Sequence, residues 1–281
     1  MKIIECPRDA MQGIREFIPT EKKISYINTL LQVGFDTIDF GSFVSPKAIP
    51  QMSDTAEVLA NLDLDSSASR LLAIIANVRG ADDAVKYEQI DYLGFPLSVS
   101  ETFQQRNTNK SIAEAMQQLA QIQELCHKHS KTLVTYISMG FGNPYGDPWD
   151  AETVIRFVEE LHRLEVKIIS LSDTIGVSNP DNITYLFESL IPAFKEIEFG
   201  AHLHTTPTTW REKVEAAYQA GCRRFDGAIR GYGGCPMAKD ELVGNMATEN
   251  LVSYFENIGL NLNLNKKAFE VALAESGAVF S

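Results

Sequence analysis

Eight short apolar runs, each separated from the next by a longer stretch, constrain this chain more than any other feature. The runs cover residues 2–6, 37–40, 71–76, 89–93, 132–137, 167–171, 198–202 and 224–228. The stretches between them carry apolar residues at helical spacing. Thr20, after Pro19, reads as the N-cap of one helix, with Ile24, Ile27, Leu30 and Leu31 on a single face and Gly34 closing it. Further helices are predicted over 53–61, 111–129, 151–164, 182–195 and 208–220, the last followed by Gly221. Strands alternating with helices predict repeated βα units on a parallel sheet. Eight units in 281 residues predict a (β/α)8 TIM barrel, with extra C-terminal helices over 247–281 joined by a polar connection at 261–267. No Gly-x-Gly-x-x-Gly follows the first run, which removes the dinucleotide-binding alternative. No Pro- or Ser-rich linker divides the chain, so residues 1–281 read as one domain.

Composition narrows the partners. Asp and Glu number 37 against 25 Lys and Arg, a formal net charge of -12. Such a chain repels phosphate backbones and anionic lipid, so neither a nucleic acid nor a membrane surface is expected as partner. No apolar segment reaches the roughly 20 residues needed to span a bilayer, and no leader-like run opens the sequence. The four cysteines (Cys6, Cys126, Cys222 and Cys235) form no CxxC pair. Free thiols and the lack of a leader place the expected protein in the cytoplasm.

A barrel of this kind builds its active site at the C-terminal ends of its strands, and polar residues collect there. The first run leads into Cys6-Pro7-Arg8-Asp9, the second ends in Asp39-Phe40-Gly41-Ser42, and the fifth carries Tyr136 and Ser138. The sixth ends in Ser172-Asp173-Thr174, the seventh in His202-Leu203-His204, and the eighth opens into Arg230-Gly231-Tyr232-Gly233-Gly234-Cys235-Pro236. Alternate strand residues share a face, so His202 and His204 are able to approach one ion together. The bland alternative is two unrelated polar residues at a strand exit. The other candidate donors, the Asp9 carboxylate and the Asn245 amide, are oxygens. A mixed nitrogen and oxygen set favours a six-coordinate divalent cation, Mg2+ or Mn2+, with zinc and cobalt left open. Arg8 suits an oxygen that becomes an enolate, because its charge persists and its donors form a fixed fork. Gln12 follows on the same loop. The glycine-rich segment 230–236 reads as a loop that folds over the pocket and carries Cys235 to the reacting carbon, or simply as a flexible turn. Cys6 reads as a buried structural thiol. His127 and His129, about half a helical turn apart, read as surface residues.

Together these motifs resemble 3-hydroxy-3-methylglutaryl-CoA lyases, metal-dependent TIM-barrel enzymes of the lyase and Claisen-condensation superfamily. The resemblance runs nearly end to end. It rests on Pro7-Arg8-Asp9-Ala10-Met11-Gln12, Ser42-Phe43-Val44-Ser45-Pro46-Lys47, Pro50-Gln51-Met52 and Ser172-Asp173-Thr174-Ile175-Gly176-Val177. His202-Leu203-His204, Gly233-Gly234-Cys235-Pro236 and Gly244-Asn245-Met246-Ala247-Thr248-Glu249 complete it. The resemblance implies Asp9, His202, His204 and Asn245 as metal ligands, Arg8 as the enolate stabiliser, and Cys235 and His202 in proton transfer. It further implies Asp39, Asp173 and Glu249 as acidic residues of the site. Gln12, Ser42, Tyr136, Gly233 and Gly234 are expected against an acyl-CoA substrate. The Gly-Gly-Cys-Pro loop resembles the lyase branch. A condensing synthase of the same superfamily and a non-catalytic acyl-CoA- or metal-binding relative are the competing readings.

The match has departures. Asp39 stands where these lyases usually carry Glu, Thr205 where Asp or Asn is usual, and Gly13-Ile14-Arg15 replaces Asn-Glu-Lys. Val134 and Asn143 occupy positions where Arg and Cys are common. Lys47, Arg79, Arg106 and Lys110 are candidates, by position and charge, for the CoA phosphates. Barrels of this kind often pair, so a homodimer is the expected assembly.

Overall fold

The computed structural model describes residues 1–234 and 243–280. Its strands are β1 (Lys2–Glu5), β2 (Thr37–Ser42), β3 (Arg70–Ile74), β4 (Ile90–Ser98), β5 (Thr132–Ser138), β6 (Ile168–Asp173), β7 (Glu198–Thr205), β8 (Arg224–Gly227) and β9 (Gly244–Asn245). The first eight pair in parallel in the order β6-β5-β4-β3-β2-β1-β8-β7, and a β6–β7 pairing closes the ring. Each of the eight predicted runs is one of these strands, and the fold is the (β/α)8 barrel. The short β9 adds antiparallel to β7 and sets Asn245 opposite His204.

The strands are buried on both faces, as a parallel sheet wrapped by helices requires. Inside the barrel Leu72, Tyr92, Val134, Tyr136 and Ile168 pack together. Outside, a larger apolar layer joins strands to helices; Leu119, Ile122 and Cys126 of the helix Ile112–Lys128 are fully covered there. Leu119 and Ile122 each contribute about 1.5–3 kcal/mol by leaving water. That helix begins in a reciprocal cap, with Ser111 and Glu114 satisfying each other's backbone N–H groups. Gly34 and Gly221 adopt positive φ values of 83° and 101° at their helix ends, as the sequence predicts.

β4 runs to Ser98, past the predicted residue 93. Its pairing with β3 ends at Ile74 and Gly94, so Pro96 continues beside β5 alone. The missing N–H of proline is tolerated where one edge is free. The chain after β1 also differs from expectation. Residues Pro7–Gln12 form a helical turn rather than a strand exit, with Pro7 at its first position. The C-terminal helices are Thr248–Asn257 and Lys266–Val279. No helix among the described residues is long and apolar enough to cross a membrane.

Candidate active site

The early helical turn aligns the first functional side chains. Arg8 and Gln12 are four residues apart and Asp9 and Gln12 three, so all three share a face. Arg8 Nη1 donates to Asp9 Oδ1 and to Gln12 Oε1, each at 2.9 Å, and Gln12 Nε2 donates to Asp9 Oδ1 at 2.9 Å. The other edge of the guanidinium grips Asp39, with Nε donating to Oδ1 at 3.1 Å and to Oδ2 at 3.0 Å. Arg8 is 7% exposed and Asp39 1%. Burial alone would weaken the guanidinium's hold on its proton, but Asp39 and Asp9 overcome it and drive the pKa upward, so Arg8 stays cationic. Burial pushes the Asp39 carboxyl up to about 6, with Arg8 opposing the rise. Burial acts the same way on Asp9; there Arg8, His202 and the Asn245 amide outweigh it and hold the carboxyl below its ordinary value.

Across the barrel mouth, ligand atoms of Asp9, His202 and His204 all lie within 4.8 Å of one another. His202 Nδ1 is 3.1 Å from Asp226 Oδ2, which leaves the other ring nitrogen for the cavity. A carboxylate behind an imidazole is the usual support of a metal-binding histidine. Burial opposes protonation of His202, yet the Asp226 hydrogen bond and charge raise its pKa overall. Burial and the neighbouring His202 push His204 down to about 4. His204 is therefore neutral at pH 7, and its buried Nδ1 has no hydrogen-bond partner. An orphaned imidazole nitrogen beside an ionised carboxylate and a second imidazole fits a divalent cation.

Asn245 joins this group through its donor end: Nδ2 gives hydrogen bonds to Asp9 Oδ2 (2.6 Å) and to the Tyr232 carbonyl (2.9 Å). Gly233 packs against the same pair. A Cβ there would stand 2.8 Å from Asn245 Nδ2 and 2.8 Å from the Asp9 carbonyl, and φ is +85°, so only glycine fits without displacement. Tyr136 meets His202 edge to face, centroids 5.8 Å apart.

These groups open onto a cavity of about 420 Å³. Arg8, Asp9, Gln12, Asp39, Tyr136, His202, His204 and Gly234 line it, as do Cys6, Ser138, Ser172 and Thr174. Its outer wall is Val44, Ala48, Ile49, Phe103, Arg106, Asn107 and Thr108. Of the four cations considered for phosphate binding, Arg106 reaches this wall, where it also lies over the Tyr145 ring at 4.7 Å.

Five expected residues sit outside the lining: Gly233 and Asn245, which pack behind Asp9, and Ser42, Glu249 and Asp173. Ser42 accepts from the Val44 N–H at 3.1 Å and shapes the loop after β2. Glu249 accepts from the Arg230 N–H at 3.0 Å and fixes the start of the glycine-rich segment. Asp173 faces Lys213, whose ammonium donates to Asp173 Oδ2 (2.8 Å), the His204 carbonyl (2.9 Å) and the Gly176 carbonyl (3.1 Å). This buried ammonium ties the end of β6 to the end of β7 and holds His204 from behind. Replacing Lys213 by methionine strands Asp173 without its counter-charge. A loss of about 3–5 kcal/mol in unfolding free energy is expected in a urea titration. Cys235 lies outside the described residues.

Sequence reasoning missed Asp226 and Lys213. A carboxylate two residues after Arg224 inside a wholly buried strand was the available signal for the first; an isolated lysine on the helix Trp210–Gln219 offers none for the second.

A family model described as HMGL-like matches residues 2–274. The chain belongs to the HMGL-like family. Within this HMGL-like group it is 35% identical over 258 residues to the hydroxymethylglutaryl-CoA lyase YngG of Bacillus subtilis, covering 92% of this chain and 85% of the relative. It is 30% identical over 269 residues to a 3-hydroxy-3-isohexenylglutaryl-CoA/hydroxy-methylglutaryl-CoA lyase of Pseudomonas aeruginosa, covering 95% and 89% respectively. A solved HMG-CoA lyase of Acinetobacter baumannii, in complex with coenzyme A and 3-methylmalate, superposes with a TM-score of 0.91 at 31% identity, over 100% of this chain and 91% of that one.

Proposed function

We propose that this chain is a divalent-metal-dependent carbon–carbon lyase that cleaves 3-hydroxy-3-methylglutaryl-CoA to acetyl-CoA and acetoacetate. The observation that carries the reading is the meeting of Asp9, His202 and His204 within 4.8 Å beside the Arg8 guanidinium, 2.9 Å from Asp9. Asp9, His202 and His204 would hold Mg2+ or Mn2+, with Asn245 beside them. Such an ion supplies, when bound, Lewis-acid polarisation of the substrate's hydroxyl and carboxylate oxygens.

The chain's own residues do the rest. The substrate hydroxyl loses its proton to a base at the site, and the bond between its carbon and the thioester's α-carbon breaks as the ketone forms. The electron pair moves onto the thioester as an enolate. Arg8, fixed on two sides by Asp39 and Gln12, offers a cation already in place for that developing charge. The enolate carbon then takes one proton, from Cys235 or from His202, and the donor is recharged by the proton that the base took from the hydroxyl. Asp226 sets which ring nitrogen of His202 faces the cavity. Asp173 and Glu249 act by positioning, through Lys213 and the Arg230 N–H.

Incubation of the purified protein with the thioester and Mg2+ or Mn2+ is expected to release acetoacetate. Turnover should fall to background with EDTA and return on adding excess metal. No acetoacetate under any metal would remove this substrate. Thiol release from acetyl-CoA with 2-oxo acids would move the reading to a condensing synthase. A cytoplasmic homodimer is part of the proposal, and light scattering at twice the chain mass is its check.

A further inference from the structure

We propose a second metal site on the inner side of His202, formed by Cys6, His202 and Asp226, for a zinc-like divalent cation. Three observations converge there. Ligand atoms of the three residues lie within 4.8 Å of one another. Asp226 is 3% exposed and its Oδ1 has no hydrogen-bond partner, so a buried carboxylate oxygen is left unused beside the imidazole. The Cys6 thiol is free, and its only hydrogen bond among the described residues is a 3.8 Å contact with the Ile4 carbonyl. The barrel brings the set together: β1 and β8 pair in register with Glu5 opposite Gly227, and the Cys6 N–H donates to the Gly227 carbonyl at 2.8 Å. Cys6 and His202 both line the cavity, so an ion has a path from the mouth.

The donor chemistry differs from that of the outer group. A thiolate, an imidazole and a carboxylate suit zinc or cobalt(II), with the fourth position left to water, and suit Mg2+ or Mn2+ poorly. On binding, the thiol proton passes to solvent, the proton on His202 Nδ1 moves to the other ring nitrogen, and Asp226 exchanges its hydrogen bond with His202 for the ion. His202 belongs to both groups, so a soft ion on the inner side withdraws that imidazole from the outer one. Zinc then acts as an inhibitor by occupying its own site. This consequence, unlike the site itself, rests on the lyase reading.

Cobalt(II) added to the Mg2+-saturated protein tests the site without any turnover. A near-ultraviolet thiolate-to-cobalt charge-transfer band is expected, displaced by zinc, retained in Cys235→Ser and lost in Cys6→Ser. In the acetoacetate assay, Cys6→Ser should need at least about tenfold more zinc for half inhibition. The absence of a band in the unmodified protein, or its survival in Cys6→Ser, overturns the proposal. Should the serine variant fail to fold, Asp226→Asn serves instead: weaker cobalt binding at the band supports the site, and unchanged binding overturns it.

Discussion

Asp9→Asn is expected to abolish metal-dependent turnover, by about 10³-fold or more. The ion supplies several kcal/mol of charge stabilisation, and each 1.4 kcal/mol is about tenfold in rate. Asn keeps the shape of Asp9 and keeps an oxygen for Gln12 and Arg8, at the loss of the hydrogen bond that Asp9 Oδ2 accepts from Asn245, while Asp39 still anchors the guanidinium from its other edge. The site should therefore survive as a shape and fail as a charge. Two neutral imidazoles and two amides bind a hard cation weakly. Calorimetric titration with Mn2+ should show affinity falling in step with activity. Full Mn2+ affinity in a variant that has lost turnover would make Asp9 a catalytic group rather than a ligand, and unchanged turnover would remove it from the site.

How far such a site can be read from sequence depends on the length scale that sets each contact. Strand periodicity is local, which is why all eight runs were legible and why His202 and His204, two residues apart, could be paired before any fold was known. The boundaries were less legible where the partner strand decides them. β4 continues through Pro96 to Ser98 because β5 extends alongside it, a property of another segment. Residues 7–12 gave no long apolar periodicity, so a single helical turn went unseen, yet that turn is what puts Arg8, Asp9 and Gln12 on one face. Asn245 meets Asp9 across 236 positions through the two-residue β9, too short for any pattern. Cys6 reads as a buried structural thiol because it lies inside a predicted strand; it is buried, and the register of β1 with β8, set by closure of the barrel, also places it on the cavity wall. Motif resemblance points to Arg8, Asp9, Gln12, Tyr136, His202 and His204, which the structure gathers around one cavity. It did not recover Asp226 or Lys213, whose work is to hold other groups.

Arg8→Met separates catalysis from architecture. Turnover is expected to fall by about 10²–10³-fold, the usual cost of removing one preorganised stabiliser of a developing oxyanion. Exchange of the acetyl-CoA methyl protons with D2O, which requires the enolate alone, should fall in parallel. Mn2+ affinity should hold or rise, since Asp9 loses a competing cation. The fold pays as well: Asp39 is 1% exposed, and burial already pushes its carboxyl up to about 6 with Arg8 in place. Without the guanidinium that carboxyl is driven further toward the protonated form, and unfolding free energy is expected to drop by about 3–5 kcal/mol. Adding Asp39→Asn removes the stranded acid, so the double variant should regain much of the stability and none of the turnover. Arg8→Lys is a third point on the same line, because an ammonium restores the charge without the fork that spans Asp39, Asp9 and Gln12. Recovery of stability with lysine, but of enolate exchange with arginine alone, would show that the planar geometry and not the charge carries the chemistry.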